Sequence, residues 1–199
     1  MIPQLLETIC CRAGQLEALP EHQARVGRSL AALGVATHNV CLSALSVPAH
    51  AQKGRYKCRA LYRERIESVS FAPYTVRPVH RLKLVAADHI EYGLKFADRA
   101  LLEQAFEQRS NADDVLLVKE GRITDTYYAN IAFWNGRAWI TPERPLLPGT
   151  RRARLLRQGA IHTAPLRVED LPHFHKATLF NAMMDLGEGP VIPIRQIEP

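Results

Sequence analysis

The sequence predicts an α+β fold in two lobes, with mixed or antiparallel sheets and flanking helices. Residues 56–62 alternate between the two faces of a strand, and residues 66–71 follow as a hairpin partner. Asn135-Gly136 separates two further strand-like runs, which is a strong hairpin signal. Helical spacing is confined to a few stretches. Many hairpins combined with few helices are typical of α+β proteins.

The first lobe is expected over residues 1–75. Its clearest element is a helix in which Val26, Leu30 and Leu33 form one apolar stripe. Pro20 suits the first turn of this helix, and Gly34 suits its C-terminal cap. In order, the predicted elements are a strand (5–11), a helix (19–34), a second helix (40–47) and the two hairpin strands (56–62 and 66–71).

A linker is predicted at 73–78, where two prolines interrupt any periodicity. The second lobe is expected over 82–199. Asp98 is the predicted N-cap of one of its helices, and Gly149-Thr150 opens another. Its predicted elements are strands at 82–86, 114–118, 123–125, 129–134 and 138–141, helices at 98–108 and 149–157, and strands near 166, at 178–180 and at 191–194.

Composition favours a globular protein that binds an anion. Hydrophobic residues make up 47% of the chain, enough to form a core and to exclude disorder. The 26 Lys and Arg against 20 Asp and Glu give a net charge of +6, which suits a small anionic ligand. The basic residues form no long run, so nucleic-acid binding is not expected.

The sequence also predicts a cytoplasmic protein with no metal site. Its four cysteines form no Cys-x-x-Cys pair, and no histidine cluster completes a zinc site. The first residues lack the pattern of a signal peptide. The apolar runs are far shorter than the roughly 20 residues that span a bilayer, so no membrane association is expected.

Lys95 is the candidate catalytic residue. It lies between Leu94 and Phe96, with Arg99 expected one helical turn later. Burial and a nearby positive charge favour the neutral amine that a Schiff base requires. The alternative is a surface lysine whose stem packs while its charged head stays in water.

A carboxylate and a helix start complete a possible cofactor site. Asp125 could keep a pyridine nitrogen protonated, or it could cap a turn. Gly149-Thr150 opens a helix whose first N–H groups attract an anion, and Arg151 adds positive charge; an ordinary helix start is the alternative. An amine, a carboxylate and an anion-binding turn, in this order, are the parts needed to hold pyridoxal 5′-phosphate.

Two other side chains could contact the phosphate. Arg25 offers several guanidinium donors, although a solvated helix arginine is the alternative. Asn181 follows a predicted strand and could donate to the same phosphate or cap a turn. His173 and His175 have no third ligand nearby, so we interpret them as loop residues.

These pieces together resemble the class IV aminotransferase family, the pyridoxal-phosphate enzymes of fold type IV. The family includes branched-chain and D-amino-acid aminotransferases and 4-amino-4-deoxychorismate lyase, to which the chain is closest in kind. Lys95 lies where the family has its Schiff-base lysine, residues 123–131 resemble its "V-T-E…N" segment, and residues 146–150 with Arg152 resemble its phosphate-binding turn. The resemblance implies fold type IV, pyridoxal 5′-phosphate, Asn130 among the cofactor-binding residues, and a homodimer.

Two positions depart from the family pattern. Asp125 stands where the family usually has Glu, so its side chain is one methylene shorter. Arg151 replaces the Thr that follows the family's Gly turn, although its backbone N–H remains available to a phosphate.

Three functions remain open. In a lyase, Lys95 would take a proton from the amine-bearing carbon of 4-amino-4-deoxychorismate, and the products would be 4-aminobenzoate and pyruvate. Arg59, Tyr92 and Arg99 are loose candidates for contacting this anionic amino substrate. An aminotransferase acting on a branched-chain or D-amino acid would use the same residues. A non-enzymatic anion- or nucleic-acid-binding module would rely on the net charge alone.

Overall fold

The computed structural model describes residues 2–37 and 39–199. These residues form three sheets and a few helices, in agreement with the predicted α+β class. The helices are α1 (Leu19–Ala32), α2 (Ala100–Glu107) and α3 (Thr150–Arg157). The strands are β1 (Leu5–Arg12), β2 (Gln15–Leu16), β3 (Arg55–Tyr62), β4 (Ile66–Pro73), β5 (Leu82–Ala86), β6 (Asp114–Lys119), β7 (Arg122–Thr126), β8 (Asn130–Trp134), β9 (Trp139–Pro142), β10 (His162–Ala164), β11 (Lys176–Phe180), β12 (Val191–Pro193) and β13 (Ile197–Glu198).

Two compact units make up the fold. Unit 1 comprises Met1–Thr75 and Leu94–Asp98, and unit 2 comprises Val76–Gly93 and Arg99–Pro199. The segment that carries Lys95 therefore lies in unit 1, whereas the sequence placed Lys95 in the C-terminal lobe. The cause is backbone pairing, because Leu6 N donates to Lys95 O at 2.9 Å and Ala97 N donates to Gln4 O at 2.8 Å.

Unit 1 is an antiparallel sheet of order β2-β1-β3-β4 covered by α1. The predicted apolar stripe of α1 is confirmed, since Val26 and Leu30 are fully buried in one cluster with Leu5, Ile9 and Tyr62. Burial of such side chains contributes about 1.5–3 kcal/mol each to folding. This packing fixes the side of α1 that faces β1.

Unit 2 contains the other two sheets, of order β13-β5-β6-β7 and β10-β9-β8-β11-β12. The first is mixed, with β5 and β6 parallel and β6 and β7 antiparallel. A tight turn connects the two sheets, because Thr126 N donates to Ala129 O at 3.0 Å between the end of β7 and the start of β8. The predicted Asn135-Gly136 hairpin is confirmed between β8 and β9, where Gly136 has the positive φ of 94° that this turn requires.

Three predicted elements are wrong in detail. The helix expected at 40–47 is only a short 3-10 turn, Leu42–Ala44. The side chain of Gln23 explains this, because it accepts from Leu42 N at 2.9 Å and donates to Val40 O at 2.7 Å, which satisfies the backbone without a helix. The helix expected from residue 98 begins later, with Arg99 as its N-cap in place of Asp98. The strand expected near residue 166 is found slightly earlier in the chain, as β10.

Among the described residues, every helix is too short or too polar to cross a bilayer.

Candidate active site

Lys95 lies in a non-helical segment of unit 1 beside β1. Its side chain is half-buried, and the following residue, Phe96, forms a bridge with Leu5. The helical turn expected between Lys95 and Arg99 is wrong, because α2 begins only at Ala100. Two backbone hydrogen bonds, from Leu6 N to Lys95 O and from Ala97 N to Gln4 O, hold the segment against the strand.

In unit 2, Asp125 is a buried carboxylate at the end of β7. Asn130 Nδ2 donates to its Oδ1 at 2.7 Å, and Leu147 N donates to its Oδ2 at 2.8 Å. Burial raises the pKa of Asp125 to about 6, although the two hydrogen bonds and the positive charge of Arg152 act in the opposite direction. Asp125 is therefore a carboxyl group that can gain or lose a proton close to neutral pH.

Asn130 connects Asp125 to the turn that precedes α3. Its Nδ2 also donates to Leu147 O at 3.0 Å. The backbone of Gly149 packs directly on this amide, since a Cβ at position 149 would lie 2.1 Å from Asn130 Oδ1. The carboxylate of β7, the amide of β8 and the turn at 147–149 thus form one rigid group, and the turn needs glycine at 149.

The N-terminus of α3 carries positive charge. Gly149 is the N-cap and supplies no side-chain hydrogen bond, and the first turn contains no acidic residue. Thr150, Arg151 and Arg152 are all buried there. The positive end of the helix dipole and the two arginines concentrate positive charge at this turn, so it can accept an anion.

The two arginines of that turn have different partners. Arg151 Nη1 pairs with Asp185 Oδ2 at 2.7 Å. Arg152 Nη2 donates to Pro142 O at 2.8 Å, and its Nε is buried with no hydrogen-bond partner among the residues described. Burial lowers the pKa of Arg152, against the charge of Asp125. A buried donor of this kind is costly without an acceptor, which also suits an anion site.

Arg25 lies in unit 1, where it is buried and is not the solvated helix arginine considered above. Its Nε and Nη2 donate to the two oxygens of Glu7 at 2.8 and 2.5 Å, and His22 Nδ1 lies 2.5 Å from Glu7 Oε2. Burial alone would raise the pKa of Glu7, but the charge of Arg25 and the hydrogen bonds from His22 and Arg25 outweigh it and lower the pKa to about 2. The guanidinium is therefore held in a fixed orientation.

The remaining candidates are distributed between the units. Asn181 makes the contacts of a turn cap, because its Oδ1 accepts from Met183 N at 2.8 Å and its Nδ2 lies 3.4 Å from Tyr128 O. Arg59 lies in unit 1 on an exposed position of β3. Tyr92 and Arg99 lie in unit 2 and are in contact, with Arg99 Nη1 3.4 Å from the Tyr92 hydroxyl.

Sequence reasoning missed several of these partners. Glu7 and His22 carry a signal in retrospect, since a charged residue in the apolar run Leu5–Cys11 needs a buried cation, and the helix offers one at Arg25. The contact between Gly149 and Asn130 had no local signal, because it joins residues that are far apart in the chain.

Comparisons of the sequence and of the structure with known proteins agree on the family. The family model "Amino-transferase class IV" matches residues 4–197. An uncharacterised protein of Haemophilus influenzae is 33% identical over 186 residues, which cover 92% of this chain and 98% of that protein. A solved structure from Haemophilus somnus, provisionally assigned as a 4-amino-4-deoxychorismate lyase, is 31% identical with a TM-score of 0.81, covering 92% of this chain and 98% of that one.

A second solved structure comes from Mesorhizobium loti and is provisionally assigned as an amino-acid aminotransferase. It is 26% identical with a TM-score of 0.79, and covers 96% of this chain and 97% of that one. These matches confirm the resemblance, the fold type and the enzyme class predicted from the sequence.

We predict that Gly149→Ala destabilises the protein through Asn130. The new methyl group would overlap Asn130 Oδ1, and this amide cannot move away because it holds both Asp125 and Leu147. We expect the free energy of unfolding to fall by about 1–3 kcal/mol in urea titrations.

Gly27→Ala is the matched control, because Gly27 lies inside α1 with nothing within 4 Å of the new Cβ, and it should be neutral or stabilising by about 0.5–1 kcal/mol. In an Asn130→Ala background the cost of Gly149→Ala should largely disappear. An equal cost in both backgrounds would show that Asn130 is not the cause.

We predict that Glu7→Gln destabilises the protein in a pH-dependent way. The folded-state pKa of Glu7 is about 2, below its ordinary value of 4.5, so its ion pair stabilises the fold above about pH 4.5 and this contribution is lost as pH falls towards 2. Unfolding at pH 7 should therefore show a loss of about 3–5 kcal/mol, and the difference from wild type should narrow below about pH 4.5.

Glu64→Gln is the control, because Glu64 is exposed on the surface of unit 1, and it should change the free energy of unfolding by less than about 0.5 kcal/mol. A loss from Glu7→Gln that stays constant from pH 7 to pH 3 would contradict the ion-pair account.

Proposed function

Because the chain belongs to the amino-transferase class IV family, we propose that it is a 4-amino-4-deoxychorismate lyase that releases 4-aminobenzoate and pyruvate. Members of this family depend on pyridoxal 5′-phosphate, and this chain is a pyridoxal-phosphate enzyme of that class. The Haemophilus somnus structure, 31% identical over nearly the whole chain, supports the choice of reaction.

The observation that carries the proposal is the rigid group around Asp125 in unit 2. A buried carboxylate with a pKa of about 6 is fixed, through Asn130 and Leu147 N, to a helix start rich in positive charge. These are the two polar requirements of pyridoxal 5′-phosphate, which has a basic ring nitrogen at one end and a phosphate at the other. The residues of unit 2 therefore fit the cofactor.

Each of these residues would have a specific role in binding the cofactor. Asp125 would hold a proton at the ring nitrogen, and its buried position strengthens that interaction because water does not compete. Thr150, with the backbone N–H groups of the first turn of α3, would bind the phosphate, and the charges of Arg151 and Arg152 would favour it. In unit 1, Arg25, whose guanidinium is oriented by Glu7, remains a proposed cofactor-binding residue, and in unit 2 Asn181 remains a further proposed donor.

Lys95 would perform the proton transfers. The bound cofactor supplies an electron-accepting ring that makes a hydrogen on the amine-bearing carbon of the substrate acidic. The Lys95 amine would remove this proton as a general base. The bond between the ring carbon and the ether oxygen of the enolpyruvyl group would then break, so that the six-membered ring becomes aromatic. The released enolpyruvate would take up a proton and tautomerise to pyruvate. Aromatisation drives the step, so positioning is the main demand on the protein.

The alternative is an aminotransferase acting on a branched-chain or D-amino acid, supported by the likeness to the Mesorhizobium loti structure. Here the bound cofactor would supply the carrier for the amino group on its way to an oxo-acid acceptor, Lys95 would move the substrate proton, and the donor would leave as an oxo acid. The same residues of the chain would serve either reaction. A homodimer in the cytoplasm is part of the proposal in both cases.

We predict that the purified protein, loaded with cofactor, releases pyruvate from 4-amino-4-deoxychorismate without any oxo-acid acceptor. Pyruvate is measured with lactate dehydrogenase, and 4-aminobenzoate by its fluorescence. Lys95→Ala should reduce the rate by about 100-fold or more, which is the usual contribution of a general base. Lys53→Ala, which alters an exposed lysine in a turn of unit 1, should leave the rate unchanged.

Two results would contradict the lyase. Strict dependence of turnover on 2-oxoglutarate or pyruvate as an acceptor would favour the aminotransferase. Full turnover by Lys95→Ala would remove Lys95 from the mechanism in either reaction.

A further inference from the structure

An aromatic stack in unit 2 has an arginine at each end. The rings of Phe106 and Tyr127 stack with centroids 4.5 Å apart. The Arg109 guanidinium lies 4.1 Å from the Phe106 centroid, and the Arg99 guanidinium lies 4.6 Å from the Tyr127 centroid. Cation–π contacts of this kind fix a guanidinium in place without neutralising its charge.

Arg99 is held only by neutral groups. Its Nη2 donates to Tyr127 O at 2.5 Å, its Nη1 lies 3.4 Å from the Tyr92 hydroxyl, and the Tyr92 ring lies 5.7 Å from the guanidinium. Throughout residues 2–37 and 39–199, no carboxylate comes within ion-pair distance of Arg99. A guanidinium has five N–H donors, so three remain for a ligand.

Each of the two neighbouring arginines has a favourable electrostatic partner. Arg77, over the rings of Phe106 and Tyr128, pairs with buried Asp114 at 2.9 Å. Arg109 donates to Phe106 O at 3.0 Å and lies just after the C-terminus of α2, where the negative end of a helix favours a cation. Arg99 precedes the first residue of α2, where the helix offers no such compensation.

Arg99 is connected to the proposed cofactor group of unit 2 through Tyr127. Tyr127, which it contacts through both ring and carbonyl, comes two residues after Asp125. Arg99 is half-buried, so the residue is packed against its neighbours without being fully enclosed. An oriented cation with spare donors suits a carboxylate, which arginine binds through two parallel hydrogen bonds.

We propose that Arg99 is the specificity-determining residue that binds a carboxylate of the substrate, with Tyr92 and Tyr127 orienting its guanidinium. This inference rests on the proposed function, because it takes the anionic amino substrate to bind next to Asp125. Of the three residues predicted to contact the substrate, Arg99 would bind the carboxylate directly, and Tyr92 would position Arg99.

The test measures binding of the two reaction products to cofactor-loaded protein by titration calorimetry. The probes are 4-aminobenzoate and pyruvate, each compared with its uncharged amide, 4-aminobenzamide or pyruvamide. Wild type should bind at least one carboxylate about 10- to 100-fold more tightly than its amide, the range expected of a charge-assisted hydrogen-bonded pair. In Arg99→Gln that preference should fall to within about 3-fold.

Two further variants make the result specific. Arg99→Lys keeps the charge but loses the paired donors, so its preference should be intermediate. Arg109→Gln removes the arginine at the opposite end of the same stack and should match wild type within about 2-fold. Thermal unfolding of all three variants verifies that they are folded.

Equal carboxylate preference in wild type and Arg99→Gln would overturn the inference. So would a wild-type protein that binds neither carboxylate better than its amide. The lyase proposal is judged separately, by pyruvate release from wild type. If the protein showed no lyase turnover but its carboxylate preference still depended on Arg99, the role of Arg99 would stand and the lyase reaction would be rejected.

Discussion

The structure of unit 2 depends on how one buried carboxylate, Asp125, is held. Its two oxygens accept from Asn130 Nδ2 and Leu147 N, and Asn130 in turn fixes the carbonyl of Leu147 and the backbone of Gly149. The end of β7, the start of β8 and the beginning of α3 therefore cannot shift independently. A ligand with a basic nitrogen and an anionic group would meet both of its partners at a preset separation, so little binding energy would be lost in ordering the site.

A comparison of two buried carboxylates shows what this arrangement does to a proton. Glu7 and Asp125 are both buried, yet the pKa of Glu7 is about 2 and that of Asp125 about 6. The difference lies in their partners. Arg25 contacts both oxygens of Glu7 directly, which makes Glu7 a permanent anion that orients a cation. Asp125 receives two neutral donors, so desolvation prevails and the group can exchange a proton near neutral pH.

Much of the architecture could be predicted from the sequence because it is encoded locally. The apolar stripe of α1, the Asn135-Gly136 turn and the Gly149-Thr150 helix start depend on neighbouring residues, and all three are confirmed. The segment at 40–47 could not be predicted, because its backbone is satisfied by the side chain of Gln23, 17 and 19 residues away from its two partners. The resemblance to the family supplied the candidate residues, but their partners, such as Glu7 for Arg25, depend on contacts between distant parts of the chain.

The most direct test of the account is the protonation of Asp125 itself, measured by carbon-13 NMR of its carboxyl group. In cofactor-free protein it should titrate near pH 6. When pyridoxal 5′-phosphate is bound, its pKa should fall well below that value, because a protonated ring nitrogen stabilises the carboxylate. Asp114, buried in the same unit with a pKa of about 6 and paired with Arg77, is the internal reference and should not change. An Asp125 titration that is identical with and without cofactor would contradict the account.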